Sequence, residues 1–224
     1  MNTLTTAPLA PLLDRLFEEA EAAWSGNPSV AAYWSTLSEQ DQARLMCSKT
    51  EYRDFYARLK DVPLAVSRET GALLYMLARS TGARKIVEFG TSFGISTLHL
   101  AAALRDNGGG RLISAEFEPS KIVRARAHLL EGGLSDLVEI REGDALQTLA
   151  AGLPDEIDLL LLDGAKGLYL QVLSLVESRL RPGALIIADN ADYCPDYLDR
   201  VRAPAQGYMS VPCTGDVEMS MRVV

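Results

Sequence analysis

Four acids stand where four short apolar runs end: Glu88 after Lys85-Ile86-Val87, Glu116 after Leu112-Ile113-Ser114-Ala115, Asp163 after Leu159-Leu160-Leu161-Leu162, and Asp189 after Leu185-Ile186-Ile187-Ala188. Carboxylates can accept hydrogen bonds from a ligand's hydroxyl and amino groups, and they can hold hard cations. If Asp163 and Asp189 end neighbouring strands, they and the adjoining Asn190 can turn two carboxylates and one amide oxygen toward a single point. That is a donor set for Mg²⁺, which prefers oxygen ligands and keeps positions open for water or substrate, here with room for both oxygens of a vicinal diol. One acid after a strand is ordinary, because chains surface there. Four of them, with glycines interleaved, point to one ligand crevice beyond the carboxyl ends of a parallel sheet.

The segment Glu88-Phe89-Gly90-Thr91-Ser92-Phe93-Gly94 joins the first run to a helix, and Gly90 and Gly94 let its backbone approach a ligand closely. A dinucleotide fingerprint would read G-x-G-x-x-G. Ser92 stands in place of the second glycine and no third follows at Ile95, which disfavours a nicotinamide oxidoreductase, as does the lack of a Tyr-x-x-x-Lys pair near the fourth strand. Glu116 is placed to accept from both ribose hydroxyls of an adenosine, a role that NAD enzymes and methyltransferases share. In Gly143-Asp144-Ala145 the acid can meet an adenine amino group, cap the helix beginning at Ala145, or do both.

These motifs together resemble the class I S-adenosylmethionine-dependent methyltransferases, specifically the catechol-type and caffeoyl-CoA-type small-molecule O-methyltransferases. The resemblance runs from about Leu73 to the end. It rests on Val87 to Ser96, on Ile140 to Leu149, on Asp163-Gly164-Ala165-Lys166, and on Arg181-Pro182-Gly183 followed by Asp189-Asn190. It implies S-adenosylmethionine as cofactor, with Glu88, Gly90 and Ser96 around its methionine part and Glu116 and Ala145 holding the adenosine; Thr91, Ser92, Gly94, Asp144 and Asp163 complete the expected cofactor site. It also implies a divalent metal, expected to be Mg²⁺, on Asp163, Asp189 and Asn190, and a homodimer.

Methyl transfer to oxygen needs an alkoxide or phenolate, and a phenol of pKa about 10 is ionised to roughly one part in a thousand at neutral pH, a deficit of roughly 4 kcal/mol. A metal on that oxygen lowers its pKa, and Lys166, three positions after Asp163, can take the proton. Lys166 and Asp163 are therefore the expected catalytic residues. The two histidines, His99 and His128, fall inside predicted helices facing away from the strand ends and read as packing or surface residues. Gly164 and Ala165 stand where larger or acidic residues are common in the family, which reads as a more open pocket. Asp192 and Tyr193 replace part of an apolar stretch after Asn190 and read as substrate contacts or surface loop. These departures favour a bacterial type acting on natural products. A metal-independent transferase, with the same residues hydrogen-bonding the acceptor, and a protein that holds S-adenosylmethionine without chemistry remain as alternatives.

The elements that must position these residues follow from hydrophobic spacing. Strands are predicted over Lys85 to Phe89, Arg111 to Glu116, Val138 to Arg141, Ile157 to Leu162 and Ala184 to Ala188. Helices are predicted over Ile95 to Leu104, Ser120 to Glu131, Ala145 to Ala151, Leu168 to Leu180 and Pro195 to Arg202. Tyr208 to Val211 and Val217 to Val223 read as a closing hairpin. The expected fold is α/β: a Rossmann-like, doubly wound, mostly parallel seven-stranded sheet with a C-terminal antiparallel hairpin and an N-terminal helical extension. Leu12 to Trp24 form an amphipathic helix, a second helical region runs from Ala31 to Leu59, and a third from Ser67 to Ala78. Residues 1–66 are expected to form a helical cap and dimerisation region, and 67–224 the cofactor-binding domain. Trp24, Tyr33, Trp34, Tyr52, Phe55 and Tyr56 read as core, oligomer contact or substrate wall.

With 224 residues, 48% of them hydrophobic, the chain can bury one sizeable core. A net charge of -8 and a pI near 4.9 argue against nucleic acid as partner and leave a small hydroxylated molecule. Cys47, Cys194 and Cys213 lack the spacing of a disulfide framework or zinc site and read as reduced thiols. No signal-peptide pattern or membrane-length apolar run is found, so a cytoplasmic protein without a membrane partner is expected.

Overall fold

The computed structural model describes residues 2–26 and 28–224; the side chains of 24–31, and with them the expected packing role of Trp24, lie outside the described residues. Five helices come first: α1 (Leu9–Gly26), α2 (Pro28–Thr36), α3 (Glu39–Met46), α4 (Tyr52–Arg58) and α5 (Arg68–Ser80). Helix α1 buries Leu9, Leu12, Leu13, Leu16, Phe17 and Ala20 along one stripe. The single helical region expected over 31–59 is three helices. Ser38 starts α3 by accepting the Asp41 N–H on its hydroxyl, and a non-helical link separates α3 from α4.

The alternation then runs β1 (Lys85–Phe89), α6 (Ile95–Asp106), β2 (Arg111–Glu116), α7 (Pro119–Glu131), β3 (Val138–Glu142), α8 (Ala145–Thr148), β4 (Ile157–Leu162), α9 (Tyr169–Val176), β5 (Leu180–Ala188), α10 (Pro195–Arg202), β6 (Tyr208–Pro212) and β7 (Glu218–Arg222). The sheet order is β3-β2-β1-β4-β5-β7-β6. Strands β1 to β5 pair in parallel, and β7 is antiparallel to both β5 and β6. This is the expected fold, and its strand order reverses between β1 and β4, where such sheets bind ligands.

Three boundaries of this alternation differ from expectation by more than two residues; the helix expected over Leu168 to Leu180 ends at Val176, where a short turn over Glu177–Arg179 leads into the next strand. Helix α8 stops at Thr148 because the Arg141 guanidinium takes the carbonyls of Thr148, Ala151 and Gly152 and bends the chain away. Strand β5 begins at Leu180 and carries Pro182 and Gly183 within it, its register against β4 shifting between Ile157 and Leu159.

One face of the sheet packs Ile86, Leu112, Leu159, Leu161 and Ile187 against α1, α5, α6 and α7. The other packs Val87, Phe89, Ile113, Leu160, Leu162 and Ile186 against residues of α8, α9 and α10. Strands buried on both sides are continuous in apolar residues, as the four leucines of β4 are. Leu45, Phe55, Leu59 and Val62 form a third, smaller cluster with Tyr33 and Trp34 packed on it. The N-terminal region thus divides: α1 belongs to the main core, and α2 to α4 gather over the carboxyl edge of the sheet.

That edge is laced by backbone bonds. The N–H of Gly90 donates to the Ala115 carbonyl at 3.1 Å, Asp163 to Phe89 at 2.8 Å, Asp189 to Leu162 at 2.9 Å and Gly143 to Glu116 at 2.9 Å. The loops carrying the candidate residues therefore leave the sheet side by side.

Candidate active site

At the end of β1 the loop turns sharply. Gly90 has φ +102°, and a Cβ there would lie 2.3 Å from the Asp163 carbonyl oxygen, so only glycine lets β1 and β4 approach this closely. Ser92 is itself left-handed, at φ +48°. Glu88 lies beneath the loop, fully buried. Its carboxylate accepts the hydroxyls of Ser96 at 2.6 Å, Thr97 at 2.7 Å and Ser114 at 2.5 Å, and Thr91 bonds Ser114 in turn. Burial raises the Glu88 pKa against the lowering effect of those three hydroxyls. Glu88, Thr91 and Ser96 thus form a closed polar knot under the floor of the site rather than its exposed lining.

A cavity opens above, lined by Gly90, Ser92, Glu116, Phe117, Asp144, Ala145, Asp163 and Gly164 among others. Glu116, at the end of β2, accepts the N–H of Phe117 and of Glu118 on Oε1, each at 3.0 Å, and the N–H of Ser92 on Oε2 at 2.8 Å. Asp144 caps α8 through the Leu146 N–H at 3.0 Å and also accepts Arg53 Nη2 at 2.5 Å. The capping reading is therefore realised, and the second carboxylate oxygen faces an arginine that the sequence did not single out. Lys121 of α7 lines the same cavity, 3% exposed, and burial pushes its pKa down to about 8 despite the nearby charges of Glu116 and Glu118. Its signal in the sequence was a lysine on the stripe Lys121, Ala125, Leu129, which is otherwise apolar and buried.

A second cavity adjoins the first. Asp163, Lys166, Asp189, Asn190 and Asp216 line one side, and Trp34, Met46, Phe55, Tyr56, Leu59, Leu64 and Tyr193 supply apolar and aromatic surface. Lys166 Nζ, nearly inaccessible, donates to Asp163 Oδ1 at 3.1 Å and to the Tyr169 hydroxyl at 2.8 Å, which donates on to the Asp189 carbonyl at 2.8 Å. Burial works to lower the Lys166 pKa, but the charges of Asp163 and Asp189 outweigh it and hold the pKa above that of an ordinary lysine. Lys166 is thus an ammonium here. Burial and the charge of Asp163 push Asp189 up to about 7. Asn190 is left-handed at φ +50° and its amide N–H donates to Asp216, while its amide oxygen has no hydrogen bond among the described residues.

The structure thus places Asp163, Lys166, Asp189 and Asn190 on the wall of one cavity, with Tyr169 and Asp216 as partners that sequence spacing could not reveal. Among the described residues no group of three or more His, Cys, Asp and Glu side chains is assembled to hold a metal ion. The space expected from Gly164 is filled: a Cβ there would meet the Phe89 ring at 2.6 Å, so the glycine admits the ring and does not open the pocket. Ala165 is buried and lines the first cavity. His99 bonds the Ile95 carbonyl through Nδ1 at 2.8 Å, and His128 bonds that of Phe93 at 2.8 Å; neither lines these two cavities.

Residues 87–191 match the family model of a methyltransferase domain. The chain is 35% identical over 130 residues to a catechol O-methyltransferase of Niastella koreensis, covering 57% of this chain and 58% of that protein. It is 34% identical over 158 residues to catechol O-methyltransferase B of Danio rerio, covering 66% of this chain and 59% of that one. The chain therefore spans less than two thirds of the length of either relative. Among solved structures it is similar to the O-methyltransferase TomG of Streptomyces achromogenes, involved in tomaymycin synthesis and solved in complex with SAM. The TM-score is 0.64 with 27% sequence identity, over 92% of this chain and 99% of that one.

Proposed function

We propose that this chain, which carries a class I methyltransferase domain by sequence and fold, transfers a methyl group from S-adenosylmethionine to a hydroxyl of a small aromatic or polyketide-like molecule. The observation that carries the reading is that Tyr56, Leu64, Asp163 and Gly164 line both cavities. A cofactor in the first can then present its methyl to an acceptor in the second, and alignment of nucleophile with methyl supplies much of the rate. In this reading Glu116 takes the ribose and Asp144 and Ala145 the adenine. The loop of Gly90, Thr91, Ser92 and Gly94 follows the methionine part, over the knot of Glu88 and Ser96.

The donors at the floor of the second cavity suit a divalent cation in their chemistry. Asp163, Asp189 and the amide oxygen of Asn190 are hard ligands, and the crowding that raises Asp189 is the kind a cation relieves. Those three residues would hold it, and when bound it supplies acidity to a coordinated hydroxyl. Lys166 is the base of this reading. As an ammonium paired to Asp163 it holds the acceptor oxygen by donating to it; to act as base it first releases one of its own protons to solvent, which loosening of the pair with Asp163 favours, and the neutral amine then accepts the hydroxyl proton at Nζ. The aromatic wall of Trp34, Phe55 and Tyr56 excludes water and packs a flat acceptor.

The reading extends to residues 1–66 as a cap, through α2 to α4, and to a homodimer in the cytoplasm, with biosynthesis of a natural product as its setting. Cys47, Cys194 and Cys213 are free thiols, and among the described residues no helix is long and apolar enough to cross a membrane.

The test is release of S-adenosylhomocysteine from S-adenosylmethionine with a panel of ortho-dihydroxy aromatics, with added Mg²⁺ or excess EDTA. Turnover lost in EDTA and restored by Mg²⁺ is expected. Turnover indifferent to EDTA sinks the metal and leaves the transferase; no turnover together with no binding of S-adenosylhomocysteine sinks both. Light scattering of the purified protein checks the dimer.

A further inference from the structure

Lys121 is a buried ammonium with donors to spare. It lies in the first turn of α7, 3% exposed, and its Nζ carries three N–H groups. Among the described residues the one hydrogen bond of this Nζ is a long one, 3.4 Å to Ser92 Oγ, and no carboxylate is within salt-bridge reach. The centre of the Phe93 ring lies 5.7 Å from Nζ. Buried polar groups normally have partners, so an ammonium left this way on a cavity wall is prepared for something that enters the cavity.

Glu116, on the same wall, is short of capacity in a complementary way. Each carboxylate oxygen has about two acceptor sites. Oε1 is filled by the N–H groups of Phe117 and Glu118, and Oε2 has one site left beside the Ser92 N–H. A ribose brings two hydroxyls, each a donor and an acceptor. The carboxylate can take one proton readily, and it offers nothing to the hydroxyl oxygens.

We propose that Lys121 is the second half of a ribose clamp, donating from Nζ to a hydroxyl oxygen of the cofactor ribose while Glu116 Oε2 accepts a hydroxyl proton. This rests on the cofactor reading above. It assigns to α7 a cofactor contact that depends on the ribose hydroxyls, distinct from the backbone contacts of the glycine loop.

The experiment measures binding of S-adenosylhomocysteine and of its 2′,3′-dideoxy analogue to the full chain by calorimetry, for wild type, Lys121→Met and Lys121→Gln. A charge-assisted hydrogen bond predicts that Lys121→Met weakens S-adenosylhomocysteine about ten- to a hundredfold and the dideoxy analogue less than about threefold. Lys121→Gln, which keeps a neutral donor, falls between. Equal weakening of both ligands, or weakening of neither, overturns the clamp and returns Lys121 to a packing role beside Ser92. Should the wild type bind neither ligand, the cofactor reading itself fails, and the clamp with it. Thermal melts of the variants without ligand show that each is folded.

Discussion

Arg53 Nη2 donates to Asp144 Oδ2 at 2.5 Å, so helix α4 of the N-terminal region is pinned to the loop after β3 at one end of the first cavity. Tyr52, next to Arg53, is buried, lines that cavity and meets the Phe117 ring edge-on at 6.5 Å. Helix α4 and the strand-end loops thus hold the cavity between them.

Arg53→Ala should cost little stability, because the arginine is largely exposed and such pairs are screened by solvent. Release of S-adenosylhomocysteine should nonetheless quicken by roughly threefold, as one tie holding the cavity wall is lost. Stopped-flow displacement measures the rate; a rate equal to wild type removes α4 from cofactor retention.

Gly90→Ala should be severely destabilising, by about 3 kcal/mol or more, since the new methyl meets the Asp163 backbone at a positive φ. Denaturant unfolding checks it. Wild-type stability with intact ligand binding would mean that β1 and β4 separate more easily than their bonding suggests.

Glu88 makes a pH-dependent contribution whose sign can be worked out. Its folded pKa is raised above the ordinary 4.5, chiefly by burial, so the protonated form is the one folding favours. That stability is fully present below 4.5 and is lost as the pH rises through the folded value. Glu88→Gln cannot titrate, so it should gain on the wild type between about pH 4 and about pH 8. Paired melting curves at the two pH values read the difference, and a gap that stays constant contradicts the burial argument.

Lys166→Met should lower turnover by about 10²–10⁴ while leaving S-adenosylhomocysteine affinity within about threefold, as the lysine lines the second cavity and not the first. Tyr169→Phe removes the hydroxyl between Lys166 and the Asp189 carbonyl and should cost about 1–3 kcal/mol of stability. Its turnover should fall less than that of Lys166→Met. If it falls as far, the tyrosine acts on the acceptor directly.

Much of the site was legible in the sequence because its acids sit at strand ends, and strands are announced locally by apolar runs with glycines after them. Asp163, Lys166, Asp189 and Asn190 belong to two such ends, and parallel pairing of β4 with β5 brings them together. Arg53, Tyr169 and Asp216 were not legible as site residues, and Lys121 left only the trace of a lysine on an apolar stripe. Each comes from a helix or from the loop before β7, and what makes it matter is a partner far away in the chain.

The sequence by itself determined the order of strands and helices, the sheet they must form and the acids left at its carboxyl edge, because hydrophobic period, turn residues and crossover handedness act over short distances. Only the tertiary structure decided which partners those acids take. Glu88 is closed off by Ser96, Thr97 and Ser114, Asp163 is paired with Lys166, and the room at Gly164 goes to the Phe89 ring. Hydrogen bonds and close packing depend on distances of a few tenths of an ångström between elements remote in the chain, and no spacing along a sequence encodes those distances.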